Sequence, residues 1–187
     1  AWVRACAAIP MIAWLDGSSD GEAKPLALLK CLRAMGVAAV NIIPERNWNF
    51  GDPAVQAAKI TKLREFVATA EALDMPINIG TEMNKDGLPR IDDLSAQALA
   101  PYRSVFRRGA QVFVGHMLLA RYAAMPYCGE AAHAEFEDNI SLKNRFYASV
   151  GALPPMTGAV AARLTGIGPV RALQVLRDSA KNKSWLI

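Results

Sequence analysis

At 187 residues, 52% hydrophobic and 20% charged, the chain can fill one packed domain and is too apolar for general disorder. A net charge of +4 permits an anionic ligand but falls far short of the Lys/Arg stripe of a dedicated nucleic-acid binder. Cys6, Cys31 and Cys128 are widely spaced and odd in number, which argues against a disulfide scaffold or a zinc finger and for a reducing, cytoplasmic location.

No apolar run reaches the roughly 18 residues that span a bilayer, so no membrane partner is expected. The opening segment Ala1–Ala8 has no initiator Met and no basic stretch of the kind that starts a signal peptide. It reads as the end of a helix entering a strand, and further chain of the same protein is expected upstream.

In chain order, Ile9–Leu15 is a short apolar run stopped by Asp16-Gly17, the pattern of a buried strand. Glu22–Met35 carries Leu26, Leu29, Leu32 and Met35 at helical spacing and is closed by Gly36. Val37–Ile43 is a second strand that stops at Pro44-Glu-Arg-Asn47. Asp52-Pro53 is an N-cap followed by Pro at the first helical position, and the helix it opens extends to about Leu73. Pro76–Gly80 is a third strand, leading into Thr81-Glu-Met-Asn84 and a polar loop with Gly87 and Pro89. Ser95–Arg108 is predicted helical with Gly109 as its end, and Gln111–His116 is predicted to be a fourth strand. From Met117 onward the periodicity is helical throughout.

Strands alternating with helices imply βαβ units and a parallel sheet. The predicted fold is therefore α/β, a parallel (β/α) barrel-like sheet that is incomplete here, with an all-helical C-terminal cap. Residues 1–124 form the barrel portion and 125–187 the helical extension packed on the same domain.

In such folds the site lies at the C-terminal ends of the strands. Those positions hold Asp16, then Asn41, Glu45, Arg46 and Asn47, then Glu82 and Asn84, then His116. Carboxylates and an imidazole converging from several strands suit a divalent cation, with Glu82 and His116 the best pair and Asp16 a weaker third. Arg46, Asn47 and Asn84 are candidate substrate contacts, Arg46 through its planar fork. Each residue has a simpler reading: Glu82 can pair with Arg46 as a bridge, Asp16 can shape a turn, and His116 can be a satisfied neutral histidine. Neither a phosphate-binding Gly-x-x-x-x-Gly-Lys loop nor a Gly-x-Ser-x-Gly nucleophile elbow is present.

Near the C-terminus, Leu164-Thr-Gly166-Ile-Gly168-Pro-Val-Arg-Ala172 resembles a helix-hairpin-helix element, whose glycine turn can offer N–H groups to a DNA phosphate. The same residues serve equally well as an interlocked helical pair, and a nucleic-acid partner is not the expectation.

Asn41-Ile-Ile-Pro-Glu-Arg-Asn47, Gly80-Thr-Glu-Met-Asn84 and Val114-Gly-His116 together resemble the later strands of the PHP (polymerase and histidinol phosphatase-like) family of metal-dependent hydrolases. The resemblance implies a distorted barrel that hydrolyses a small phosphorylated or otherwise anionic substrate with Zn, Mn or Fe ions at the strand ends. It implies Glu82 and His116 as catalytic metal ligands, but the family's opening His-x-His has no counterpart here, so the ligand set is incomplete in this chain. Two alternatives stay open: a metal-independent sugar- or metabolite-binding, isomerase-type barrel with Glu82 as a general base, and a DNA-associated module built on the Gly166–Gly168 turn.

Overall fold

The computed structural model describes residues 2–84, 86–88, 90–137 and 139–187. Ala1 of the opening segment and Pro89 of the polar loop lie outside them. The chain forms two compact units, Pro10–Arg107, and Ala1–Ile9 together with Arg108–Ile187. A short helix, α1 (Trp2–Ala5), precedes the first strand and belongs to the second of these units.

The unit Pro10–Arg107 contains β1 (Met11–Trp14), α2 (Pro25–Ala34), β2 (Ala39–Ile42), α3 (Pro53–Ala72) and β3 (Ile77–Ile79). The strands form a parallel sheet in the order β1-β2-β3, with Trp14 opposite Ile42 and Ile42 opposite Ile79. Each parallel step needs a long return, and α2 and α3 supply it. Asp52 caps α3 as its sequence suggests: the side chain accepts hydrogen bonds from the N–H groups of Ala54 (2.8 Å) and Val55 (3.3 Å), and Pro53 occupies the first helical position. Leu63, Phe66, Val67 and Ala70 then recur at helical spacing and are buried. Phe66 stacks on Trp14 with ring centroids 4.2 Å apart, joining the helix to the end of β1. Leu29, Val40, Ile42 and Ile77 complete this core, each large side chain contributing about 1.5–3 kcal/mol by leaving water.

The predicted fourth strand does not exist. After a 3-10 turn at Gln97–Tyr102, helix α4 runs from Arg103 to Ala123, straight through Gly109 and the segment Gln111–His116. Gln-Val-Phe-Val is rich in β-branched and aromatic residues, but packing overrides that local preference. Buried positions at Phe106, Gly109, Val112, Gly115, Leu119 and Tyr122 follow a helical period. The glycines that read as helix end and strand end lie inside the helix, and at Gly115 the reason is close approach. A Cβ at Gly115 would lie 1.9 Å from the Tyr147 carbonyl oxygen.

The helical C-terminal region is as expected. The unit continues through α5 (Glu130–Phe136), α6 (Ile140–Gly151), α7 (Gly158–Gly166) and α8 (Pro169–Asn182). Leu164, Ala172 and Leu176 are fully buried on the α7–α8 pair, and Gly168, with φ of 77°, caps α8 before Pro169. Among the described residues no helix is long and apolar enough to cross a membrane.

Candidate functional site

The segments that follow β1, β2 and β3 meet at the C-terminal edge of the sheet. There they enclose a cleft of about 450 Å³ within Pro10–Arg107, lined by Asp16, by Glu45, Arg46, Asn49 and Phe50, and by Glu82, Asn84, Leu88 and Asp92. Ile43, just past β2, contributes apolar surface.

Asp16 follows β1 in a tightly bonded turn. The Glu22 carboxylate accepts the N–H groups of Leu15 (2.8 Å) and Gly17 (3.2 Å), and Lys62 Nζ donates to the Gly17 carbonyl at 2.9 Å. One Asp16 oxygen accepts the Ser18 N–H at 2.9 Å, and the other lies 2.8 Å from Lys59 Nζ, with both side chains largely shielded. Burial pushes the Asp16 carboxyl up, but the hydrogen bonds from Lys59 and Ser18 and the Lys59 charge outweigh it and hold its pKa at about 2. The turn-shaping alternative for Asp16 therefore has direct structural support.

After β2 the chain makes a 3-10 turn, Pro44–Asn47. It sends neighbouring side chains to different tasks. Asn47 is fully buried, and its Nδ2 donates to the carbonyls of Leu15 and Ile43, each at 2.9 Å. It ties the ends of β1 and β2 together and does not line the cleft. Arg46 points into the cleft, where its Nη1 donates to Glu82 Oε2 at 2.7 Å. The other Glu82 oxygen accepts from Asn84 Nδ2 at 2.8 Å. Three polar residues read from the sequence thus come together, and both oxygens of Glu82 are fixed in place. In β2 and β3, Asn78 Nδ2 donates to Asn41 Oδ1 at 2.7 Å, which turns the polar residue of β2 toward its neighbour strand.

A clasp between distant segments closes the cleft's other side. The Glu45 N–H donates to Asp92 Oδ2 at 3.0 Å, and Glu45 Oε1 in turn accepts the Asp93 N–H at 3.0 Å. The Asp92 N–H donates to Thr81 Oγ1 at 3.0 Å. Asp92 is only 5% exposed. Sequence reading singled out neither Asp92 nor Phe50, because a loop aspartate and an isolated aromatic carry no local signal of what they face.

His116 is not at a strand end. It stands in the middle of α4, in the unit that does not contain Glu82. Its Nδ1 accepts the Tyr127 N–H at 3.1 Å, a bond that an unprotonated Nδ1 makes, and burial lowers its pKa. The reading of His116 as a satisfied structural histidine therefore has the better support. Among the described residues no group of three or more His, Cys, Asp or Glu side chains stands together so as to hold a metal ion. Glu82 and Asp16 have their charges met by Arg46 and Lys59, so as arranged here the residues do not form the metal site that the resemblance implies.

No family model, curated protein or solved structure matches the chain.

Proposed function

We propose that the chain carries the ligand site of a metal-independent, metabolite-processing enzyme of (β/α) barrel type, with Glu82 as the residue that exchanges a proton with the substrate. One observation carries this reading. Side chains from the segments after all three strands line one cleft at the C-terminal edge of a parallel sheet, and Glu82 sits in it with both oxygens oriented by Arg46 and Asn84. Parallel α/β sheets bind their substrates at this edge, because the strands end there together and loops of any chemistry can be mounted on them.

A carboxylate fixed by two donors costs little to reorganise when a substrate hydroxyl or an acidic C–H comes within reach, which is what general acid–base catalysis needs. Arg46, with a side chain 38% exposed, keeps donors free for a second contact after pairing with Glu82. Asn49 and Asn84 offer both donors and acceptors to hydroxyl groups, and Phe50 and Leu88 give an apolar wall for the carbon skeleton. A sugar-like or other small polyfunctional metabolite fits this lining.

The test begins with a metabolite panel screened by thermal shift, followed by turnover of the compounds that bind. Glu82→Gln keeps the shape and the Asn84 contact but cannot accept a proton as a carboxylate does. It should lower kcat by about 10²–10⁴-fold with little change in KM. Unaltered kcat in that variant sinks the proposal. The metal-dependent phosphoesterase reading is separated by titration with Zn, Mn or Fe: stoichiometric binding that disappears in Glu82→Gln, with activity abolished by chelator, would favour it instead.

A further inference from the structure

Arg46 holds Glu82 with one nitrogen of its guanidinium and leaves the others unbonded. Its Nη1 donates to Glu82 Oε2 at 2.7 Å, and among the described residues Nη2 and Nε make no hydrogen bond. The side chain lines the cleft and is 38% exposed, so a small molecule can reach it. Nη1 and Nη2 spring from one carbon and lie in one plane. An oxygen that accepts from Nη2 therefore sits beside the Glu82 carboxylate.

This juxtaposition suits one kind of proton transfer. When a carboxylate takes a proton from a carbon next to a carbonyl group, negative charge leaves the carboxylate and appears on the carbonyl oxygen. With the carboxylate on Nη1 and that oxygen on Nη2, the charge moves only between the partners of neighbouring nitrogens. The cation faces an anion before and after the step, and no charge is stranded away from water. The contact to the carbonyl oxygen also strengthens as the step proceeds, which is the condition for catalysis rather than mere binding.

We infer that the reaction of this cleft is a proton shift beside a carbonyl group on a small uncharged aldose or ketose, with Arg46 as the catalytic residue that holds the carbonyl oxygen. This rests on the reading of Glu82 as the proton acceptor of a ligand cleft. Glu82 removes the proton from the hydroxyl-bearing carbon next to the carbonyl. The C–H electron pair forms a C=C bond, and the carbonyl pair moves onto the oxygen at Nη2. Protonated Glu82 then returns the proton as the electrons move back. Return to the same carbon regenerates the substrate. Return to the former carbonyl carbon, with the hydroxyl proton passing to the other oxygen, interconverts ketose and aldose with no outside oxidant or reductant. An uncharged substrate fits because a phosphate or carboxylate would compete for the guanidinium that the moving charge needs. Asn49 and Asn84, also in the lining, serve the remaining hydroxyls.

Proton NMR of the full chain in deuterium oxide with dihydroxyacetone, erythrulose and D-fructose tests this, since a returned proton is then a deuteron. At least one sugar should lose its proton signal beside the carbonyl about 10²-fold or more faster than without protein. Glu82→Gln and Arg46→Met should each slow that exchange by about 10²–10³-fold with the amide spectrum of the fold retained. In Arg46→Ala, millimolar guanidinium chloride should restore part of the rate, which a purely structural role would not allow. Failure of guanidinium to restore any of it would overturn the role of Arg46. Exchange lost in Glu82→Gln but intact in Arg46→Met would also overturn it, leaving Glu82 as the base. Exchange indifferent to Glu82→Gln would sink the underlying reading as well. Broadening of the sugar signals without exchange would overturn the proton shift and leave the cleft standing as a ligand site. Silence from all three sugars would overturn the substrate class, and the wider metabolite screen would then decide the broader reading by itself.

Discussion

Single residues at the strand ends divide into those that bind and those that brace, and the division follows from where each hydrogen bond goes. Arg46 and Asn47 are adjacent in a 3-10 turn, yet one faces the cleft and the other is sealed beneath it, holding two carbonyls. Sequence could place both at the end of a strand but not assign their directions, because a tight turn rotates successive side chains by more than a quarter circle. Glu82 and Asn84 were legible because the strand before them is short and apolar and the loop after it is polar. Asp92 was not legible, since its meaning depends on Glu45, which is remote along the chain. The Asp16 carboxyl is set by its immediate partners. Its pKa is held at about 2, below the ordinary carboxylate value of 3.8, by Lys59 and Ser18 against the opposing effect of burial. A group whose pKa falls on folding stabilises the protein fully above its unfolded value and ceases to do so as pH drops through the folded one. Between about pH 4 and pH 2 the chain should therefore lose roughly 1–2 kcal/mol of stability through this residue, allowing for solvent screening. Chemical denaturation at a series of pH values measures that loss, and Asp16→Asn should flatten it. An unchanged acid limb in the variant would show that the Lys59 pair contributes nothing.

At the scale of elements, capping signals carried further than composition. Asp52-Pro53 marked the start of α3 to the residue, whereas Gln111–His116, with its β-branched and aromatic residues between glycines, suggested a strand inside what is one continuous helix. The glycines misled because a glycine can end a helix or let another helix approach it, and the sequence alone does not distinguish the two. Here the second use holds on both partners. A Cβ at Gly115 of α4 would meet the Tyr147 carbonyl oxygen at 1.9 Å, and one at Gly151 of α6 would meet the Gln111 carbonyl oxygen at 1.8 Å. Backbone atoms cannot yield as a flexible side chain can. Gly115→Ala and Gly151→Ala should each destabilise by about 1–3 kcal/mol or more by forcing α4 and α6 apart, despite alanine's higher helix propensity. Urea unfolding gives the answer directly: a neutral or stabilising effect would mean that the two helices have room to spare. Tyr127, in the turn after α4, packs edge-to-face on Tyr147 of α6 with ring centroids 5.1 Å apart.

For the whole molecule, an α/β portion followed by a helical run was readable from the change in periodicity along the chain, because the strands are almost continuously apolar; the reading of the first strand as buried holds for Trp14 but not for Met11 and Ala13, which are exposed at the edge of the sheet. Among the described residues the sheet has three strands where four were expected, and with the fourth strand went the place at the sheet edge that His116 had been given. What remains is a site made entirely by Pro10–Arg107, in which Glu82, Arg46 and Asn84 meet the Glu45–Asp92 clasp around one cleft. The most direct test is a backbone and side-chain amide shift map recorded with the first metabolite that binds the intact chain. Saturable shifts should centre on the 3-10 turn from Glu45, the side-chain amides of Asn49 and Asn84, and the Asp93 N–H, with His116 and Tyr127 silent. A map that leaves those cleft signals unmoved and centres on His116 would contradict the account.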